Sequence, residues 1–139
     1  MSKTYDVILW GASGFTGRLV AEYLLKQYGT GNDLAWAMAG RNQGKLEKIR
    51  TELGDENIPL VIADSHDRES LEAMVKQTKV VCTTVGPYAL YGNLLLEVCV
   101  ENSVDYCDLT GEVQWMRRTI DAHHEKAKEN KVKIVHCCG

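Results

Sequence analysis

Short apolar runs recur along the chain at intervals of about 20 to 30 residues, and the stretches between them carry apolar positions at steps of three and four. The runs Tyr5–Trp10, Leu34–Ala39, Ile58–Ala63, Lys79–Thr84, Asp105–Leu109 and Val132–Cys137 predict strands. Four of them hold near-continuous apolar segments, Val7-Ile8-Leu9-Trp10, Leu34 through Ala39, Leu60-Val61-Ile62-Ala63 and Val80-Val81-Cys82, as strands covered on both faces require. The Asp105 segment alternates more and is expected nearer an edge. Between the strands, five stripes predict amphipathic helices: Phe15-Leu19-Val20-Tyr23-Leu24, Leu46-Ile49-Leu53, Leu71-Met74-Val75, Leu94-Leu95-Val98-Cys99 and Val113-Met116-Ile120-Ala127. Asp67 stands where an N-cap would open the third, and Gly29 and Gly31 punctuate the end of the first.

Strands alternating with helices in this way predict an α/β domain with a Rossmann-type doubly wound parallel sheet of six strands, in the order 3-2-1-4-5-6 with right-handed crossovers. The chain of 139 residues has the length of one domain. Hydrophobic residues at 45% and charged residues at 25% exclude a disordered chain or a small disulfide scaffold. With 16 basic against 19 acidic residues the net charge is −3, which argues against nucleic acid as a partner. No apolar run approaches the ~20 residues of a membrane span, and the expected location is the cytoplasm.

Five cysteines form an odd set without a C-x-x-C pair, which fits reduced thiols better than a disulfide framework or a zinc site. His136-Cys137-Cys138 places three potential ligands together, but neighbours on an extended strand face opposite ways. His123-His124-Glu125 lacks the second histidine of a metalloprotease helix, since Lys128 stands there. No metal is expected.

In a doubly wound sheet, ligands bind outside the carboxyl ends of the strands, so the chemistry is sought there. The first end reads Gly11-Ala12-Ser13-Gly14-Phe15-Thr16-Gly17, a G-x-x-G-x-x-G loop between an apolar strand and an amphipathic helix. Gly11 permits a tight turn, Gly14 lets the backbone approach a pyrophosphate, and Gly17 allows helix and strand to pack closely. The helix start, including Ser13, Phe15 and Thr16, offers its N–H groups to the anion. The second end reads Gly40-Arg41-Asn42 with Lys45 close behind and no carboxylate, so Arg41 and Lys45 suit a 2′-phosphate and the expected cofactor is NADP. Asp64, at the third end, suits the adenine amino group, with a turn or cap role as the alternative. Thr84, Gly86, Pro87 and Tyr88 follow the fourth strand beside the glycine loop and are expected on the cofactor. Tyr91, Asp108, Thr110 and Glu112 are candidates on the substrate side, Glu112 also being placed to complement the amino terminus of its own helix.

These residues resemble the amino-terminal NADP-binding domain of the saccharopine dehydrogenase-like family, which includes trans-acting enoyl reductases. The resemblance rests on Tyr5 to Leu24, Ala39-Gly40-Arg41-Asn42, Thr83 through Gly92, Asp108 to Glu112 and His136-Cys137-Cys138-Gly139, nearly the whole chain. Ser13 stands where Thr is frequent, and Asn93-Leu94 where relatives often have an acid followed by proline. The resemblance implies NADP(H)-dependent hydride transfer to an imine or enoyl group of a small-molecule or acyl substrate. It also implies a substrate domain downstream of residues 1–139, without which the chain is expected to bind cofactor and not turn over. The residues identify no catalytic acid or base, and self-association into a homo-oligomer is compatible with this reading. A Tyr-x-x-x-Lys pair is missing, which disfavours a short-chain dehydrogenase. A non-catalytic NADP(H)-binding redox sensor or scaffold is the alternative, because a fold and a cofactor site alone do not establish catalysis.

Overall fold

Strand β1 (Tyr5–Trp10) occupies the centre of a six-stranded sheet because both of its faces are apolar enough to be covered. The chain then runs through α1 (Phe15–Tyr28), β2 (Trp36–Gly40), α2 (Gln43–Leu53), β3 (Leu60–Ile62), α3 (Arg68–Val75) and β4 (Thr78–Thr83). It continues with α4 (Tyr88–Tyr91), α5 (Asn93–Glu101), β5 (Asp105–Asp108), α6 (Val113–Glu129) and β6 (Ile134–Val135). A computed structural model describes residues 3–31 and 33–139. The strand order is β3-β2-β1-β4-β5-β6 and every pairing is parallel, as the strand and helix alternation predicts. Leu9 sits in register with Met38 on one side and Cys82 on the other, which aligns the carboxyl ends of β1, β2 and β4 along one rim.

Two apolar layers hold the sheet. On one face Leu9, Met38 and Trp36 meet Ala21 of α1 with Leu46 and Ile49 of α2. On the other, Ile8, Val81 and Tyr106 meet Leu71, Met74 and Val75 of α3, Leu95 and Leu96 of α5 and Trp115 of α6. Leu71, Met74 and Val75 are wholly buried, a gain of about 1.5–3 kcal/mol per side chain.

Five local expectations need correction. Two predicted stripes split: in α1 Val20 and Leu24 pack inward while Phe15, Leu19 and Tyr23 are 86%, 52% and 56% exposed, and in α6 Met116 and Ala127 pack inward while Val113 and Ile120 are exposed. The buried side of α1 contains Gly17 and Ala21, small residues that let the helix lie close on β1. The fourth connection is two helices, with Gly92 between the end of α4 at Tyr91 and the start of α5 at Asn93. Asp67 occupies the N-cap position of α3 but makes no side-chain capping bond. The last strand is two residues long, because Cys137 turns into a left-handed conformation (φ 61°) and the ladder resumes only with Cys138 N–H donating to Asp108 O at 2.8 Å. His136-Cys137-Cys138 is therefore not an extended run.

Candidate cofactor site

The loop after β1 is shaped by its glycines. Gly11 has φ of 93°, and a Cβ there would lie 2.9 Å from Thr84 Oγ1, so the turn that lets its N–H donate to Ala39 O (2.9 Å) is open to glycine alone. At Gly17 a Cβ would overlap the Gly11 carbonyl and fall 2.7 Å from its carbon. At Gly14 a Cβ would meet only Gly11 O, at 3.4 Å, and the backbone is extended (φ −80°). The fold needs the first and third glycines, whereas the second faces open space. Arg18 N–H makes the first bond of α1, to Gly14 O at 2.9 Å, so the preceding amides of the first turn are left for a ligand, with no side chain capping them.

That loop forms the floor of a cavity of about 340 Å³. Of the residues singled out in the sequence, Gly11, Ser13, Gly14, Arg41, Asp64, Thr84, Gly86 and Tyr91 line it together. Trp10, Gly40, Ser65, His66 and Val85 complete the wall. His66, four residues beyond β3, belongs to no motif in the sequence and joins the wall through its contacts in space. Its backbone N–H donates to Asp64 Oδ1 (2.8 Å), and its ring lies edge-on to Tyr91 with centroids 5.8 Å apart. Thr84 Oγ1 reaches back to Trp10 O and Gly11 O at 3.3 and 3.4 Å, tying the β4 exit to the glycine loop.

The remaining candidates lie outside this lining. Phe15, Thr16 and Gly17 belong to the first turn of α1 behind the loop. Asn42 caps α2, its Oδ1 accepting the Lys45 N–H at 3.0 Å, and both residues are exposed. Tyr88 is buried: its hydroxyl donates to Thr83 O at 3.0 Å and accepts the Leu109 N–H at 3.4 Å, while its ring packs on Trp115. Burial pushes the Tyr88 phenol up to about 12. Pro87 is exposed and directly precedes α4.

Asp108 is also buried and fully engaged. Its Oδ2 accepts from the Tyr106 hydroxyl at 2.7 Å and from His136 Nδ1 at 2.8 Å, and its Oδ1 accepts the N–H groups of Thr110 and Cys137. The Tyr106 phenol is raised far above the usual range, first by burial and then by the Asp108 charge. Thr110 Oγ1 accepts the Glu112 N–H at 3.0 Å. Glu112 caps α4, not its own helix, accepting the Tyr88 and Ala89 N–H groups at 2.6 and 3.0 Å. The candidates that follow β5 thus brace the β5–α6 loop against α4.

The cavity suits a dinucleotide on two counts that the protein leaves open. The space above Gly14 is unfilled, and the buried Trp10 indole N–H, in a residue of the cavity wall, has no acceptor among the described residues. The family model for the saccharopine dehydrogenase NADP binding domain matches residues 7–135. The chain belongs to that family. NADP is accordingly the cofactor of this saccharopine dehydrogenase-type domain. Its sequence is 40% identical over 139 residues to a trans-acting enoyl reductase of Mycobacterium leprae, covering 99% of this chain and 32% of that one. The domain thus spans about a third of the length of the curated relatives it matches. Its fold is that of saccharopine dehydrogenase (L-Glu forming) from Saccharomyces cerevisiae, with a TM-score of 0.77 at 15% identity, over 97% of this chain and 27% of that one. Triphenylmethane reductase of a Citrobacter species, solved with NADP(H), aligns with a TM-score of 0.69 at 16% identity, over 94% of this chain and 48% of that one.

Proposed function

We propose that the chain is the cofactor-holding part of an NADPH-dependent oxidoreductase that reduces an imine or an enoyl double bond. The observation that carries this reading is a single cavity in which the glycine loop, Arg41 and the β4 exit meet at the topological switch between β1 and β4. In it Gly11, Ser13 and Gly14 hold the pyrophosphate with the amides of Phe15, Thr16 and Gly17, Arg41 takes the 2′-phosphate with Lys45 and Asn42 at the rim, and Asp64 meets the adenine amine. Thr84, Gly86 and Pro87 border the nicotinamide half, and Tyr88 sets the backbone there through its hydrogen bonds. When bound, NADPH supplies the hydride, and these residues orient it.

The names of the relatives support the enoyl choice, and the imine choice rests on the family resemblance. Substrate is held by polypeptide other than residues 1–139, in keeping with relatives about three times as long. Asp108, Thr110 and Glu112 then serve the substrate side by fixing the loop on which it rests. The reading is tested by following NADPH oxidation at 340 nm with an enoyl thioester and with an imine. The assay is run on the 139-residue chain and on a polypeptide of the relatives' length. Oxidation by the longer polypeptide alone is expected. Turnover by neither sinks the oxidoreductase reading, and turnover by the short chain on the order of 1 s⁻¹ sinks the division of labour.

A further inference from the structure

We propose that His66 and Tyr91 form an aromatic wall that receives the adenine ring, making them determinants of cofactor affinity at the adenosine end. The proposal rests on the reading of the cavity as an NADP(H) site. In such a sheet the pyrophosphate crosses β1, and the adenosine half extends toward β2 and β3, where Arg41 and Asp64 stand. His66 follows β3 and belongs to that half by position. Tyr91 follows β4, on the side expected to face substrate, yet its ring is set against His66 at an interplanar angle of 65°. The His66 ring also meets the backbone of α4, its Nε2 lying 3.3 Å from Leu90 O.

The wall therefore spans from the β3 exit to the end of α4 and closes the β3 side of the cavity. Both rings are available, the His66 side chain 67% and Tyr91 37% exposed. A planar, weakly polar base covers such rings well, and its amine finds the Asp64 carboxylate, of which only Oδ1 is engaged, by the His66 N–H. Tyr91 on this assignment serves the adenosine end in place of the substrate.

The test is calorimetric titration of 2′,5′-ADP and NADPH into the wild-type chain and the Tyr91→Ala, His66→Ala and Tyr91→Phe variants. Nuclear Overhauser effects are recorded in parallel between the adenine H2 and H8 protons and the Tyr91 ring. Loss of a stacking ring is expected to weaken both ligands by roughly 5- to 150-fold. Tyr91→Phe stays near wild type, because the ring does the work, and Overhauser effects join the adenine to Tyr91. Circular dichroism is expected to remain that of the parent, since neither ring is in the core. Unchanged affinity for 2′,5′-ADP in a folded Tyr91→Ala variant, or an adenine without contacts to Tyr91, overturns the wall. Failure of the wild-type chain to bind 2′,5′-ADP at all overturns the NADP(H) reading beneath it, so the two failures are told apart.

Discussion

The carboxylate of Glu112, at the start of α6, accepts the backbone N–H of Tyr88, 24 positions earlier, at 2.6 Å. Its second oxygen takes the Ala89 N–H, so one side chain satisfies two of the free donors at the head of α4. A charged acceptor there holds the β4–α4 turn against the loop that leaves β5. Replacing it leaves those donors bare, and Glu112→Ala is expected to lose about 1–2 kcal/mol in thermal or urea denaturation. Glu112→Gln, which keeps one acceptor, should fall between. Equal stability of the alanine variant and the parent would show that the cap is dispensable.

The glycine loop separates folding from binding. Gly17→Ala drives a methyl into the Gly11 carbonyl and is expected to cost about 1–3 kcal/mol of stability. Gly14→Val should fold with the parent's circular dichroism and lose both NADPH and NADH, because its side chain fills space meant for the ligand. Melting curves and cofactor titrations of the two variants check the contrast. A folded Gly14→Val variant that still bound NADPH would reduce the loop to a turn.

Arg41 lines the cavity at the end of β2, where the run Gly40-Arg41-Asn42 carries no carboxylate to hold a ribose. A charge-assisted bond to the 2′-phosphate contributes roughly 1.5–3 kcal/mol, so Arg41→Ala should weaken NADPH by about 10- to 150-fold and leave NADH nearly unchanged. Equal losses for both cofactors in calorimetry would remove Arg41 from the phosphate.

Tyr88 gives the domain an alkaline limit. Its phenol is held up to about 12 by burial, against about 10 in an unfolded chain, so the folded state favours the neutral form. That contribution is fully present below about pH 10 and is lost as pH rises toward 12. Tyr106 is shifted the same way and further. In an absorbance titration at 295 nm, ionisation of both should coincide with unfolding, and Tyr88→Phe should remove one of these late groups. The variant also leaves Thr83 O and Leu109 N–H without their partner, which should lower its stability at neutral pH.

The parallel sheet was legible because near-continuous apolar runs such as Leu34 to Ala39 suit strands covered on both faces, and its order because strands alternating with helices wind with right-handed crossovers. The glycine loop was legible for a similar reason: a steric demand at Gly11 and Gly17 shows in residue type. Orientation was not. Periodicity sees Phe15, Leu19 and Tyr23 as apolar, but it cannot see that Gly17 and Ala21 bring another side of α1 onto β1. Nor could spacing show that Glu112 caps a helix other than its own, since that bond depends on how the chain returns in space. Asp108 and His136 stand 28 positions apart and meet only because β5 and β6 are neighbours. His66 carries no motif and gains its place from a ring on another element.

The left-handed Cys137 that stops β6 bears on how copies of this domain meet one another. The outer strands of the sheet are its shortest, β3 with three residues and β6 with two. On the β6 side, the backbone beyond Val135 is pulled inward, the N–H groups of Cys137 and Cys138 being committed to the Asp108 carboxylate and carbonyl. An exposed row of unpaired peptide groups is what templates strand-to-strand aggregation, and neither border offers a long one. Among the described residues the parallel core is therefore widest at its centre and tapers toward both borders, which leaves little bare backbone for a second copy to pair with.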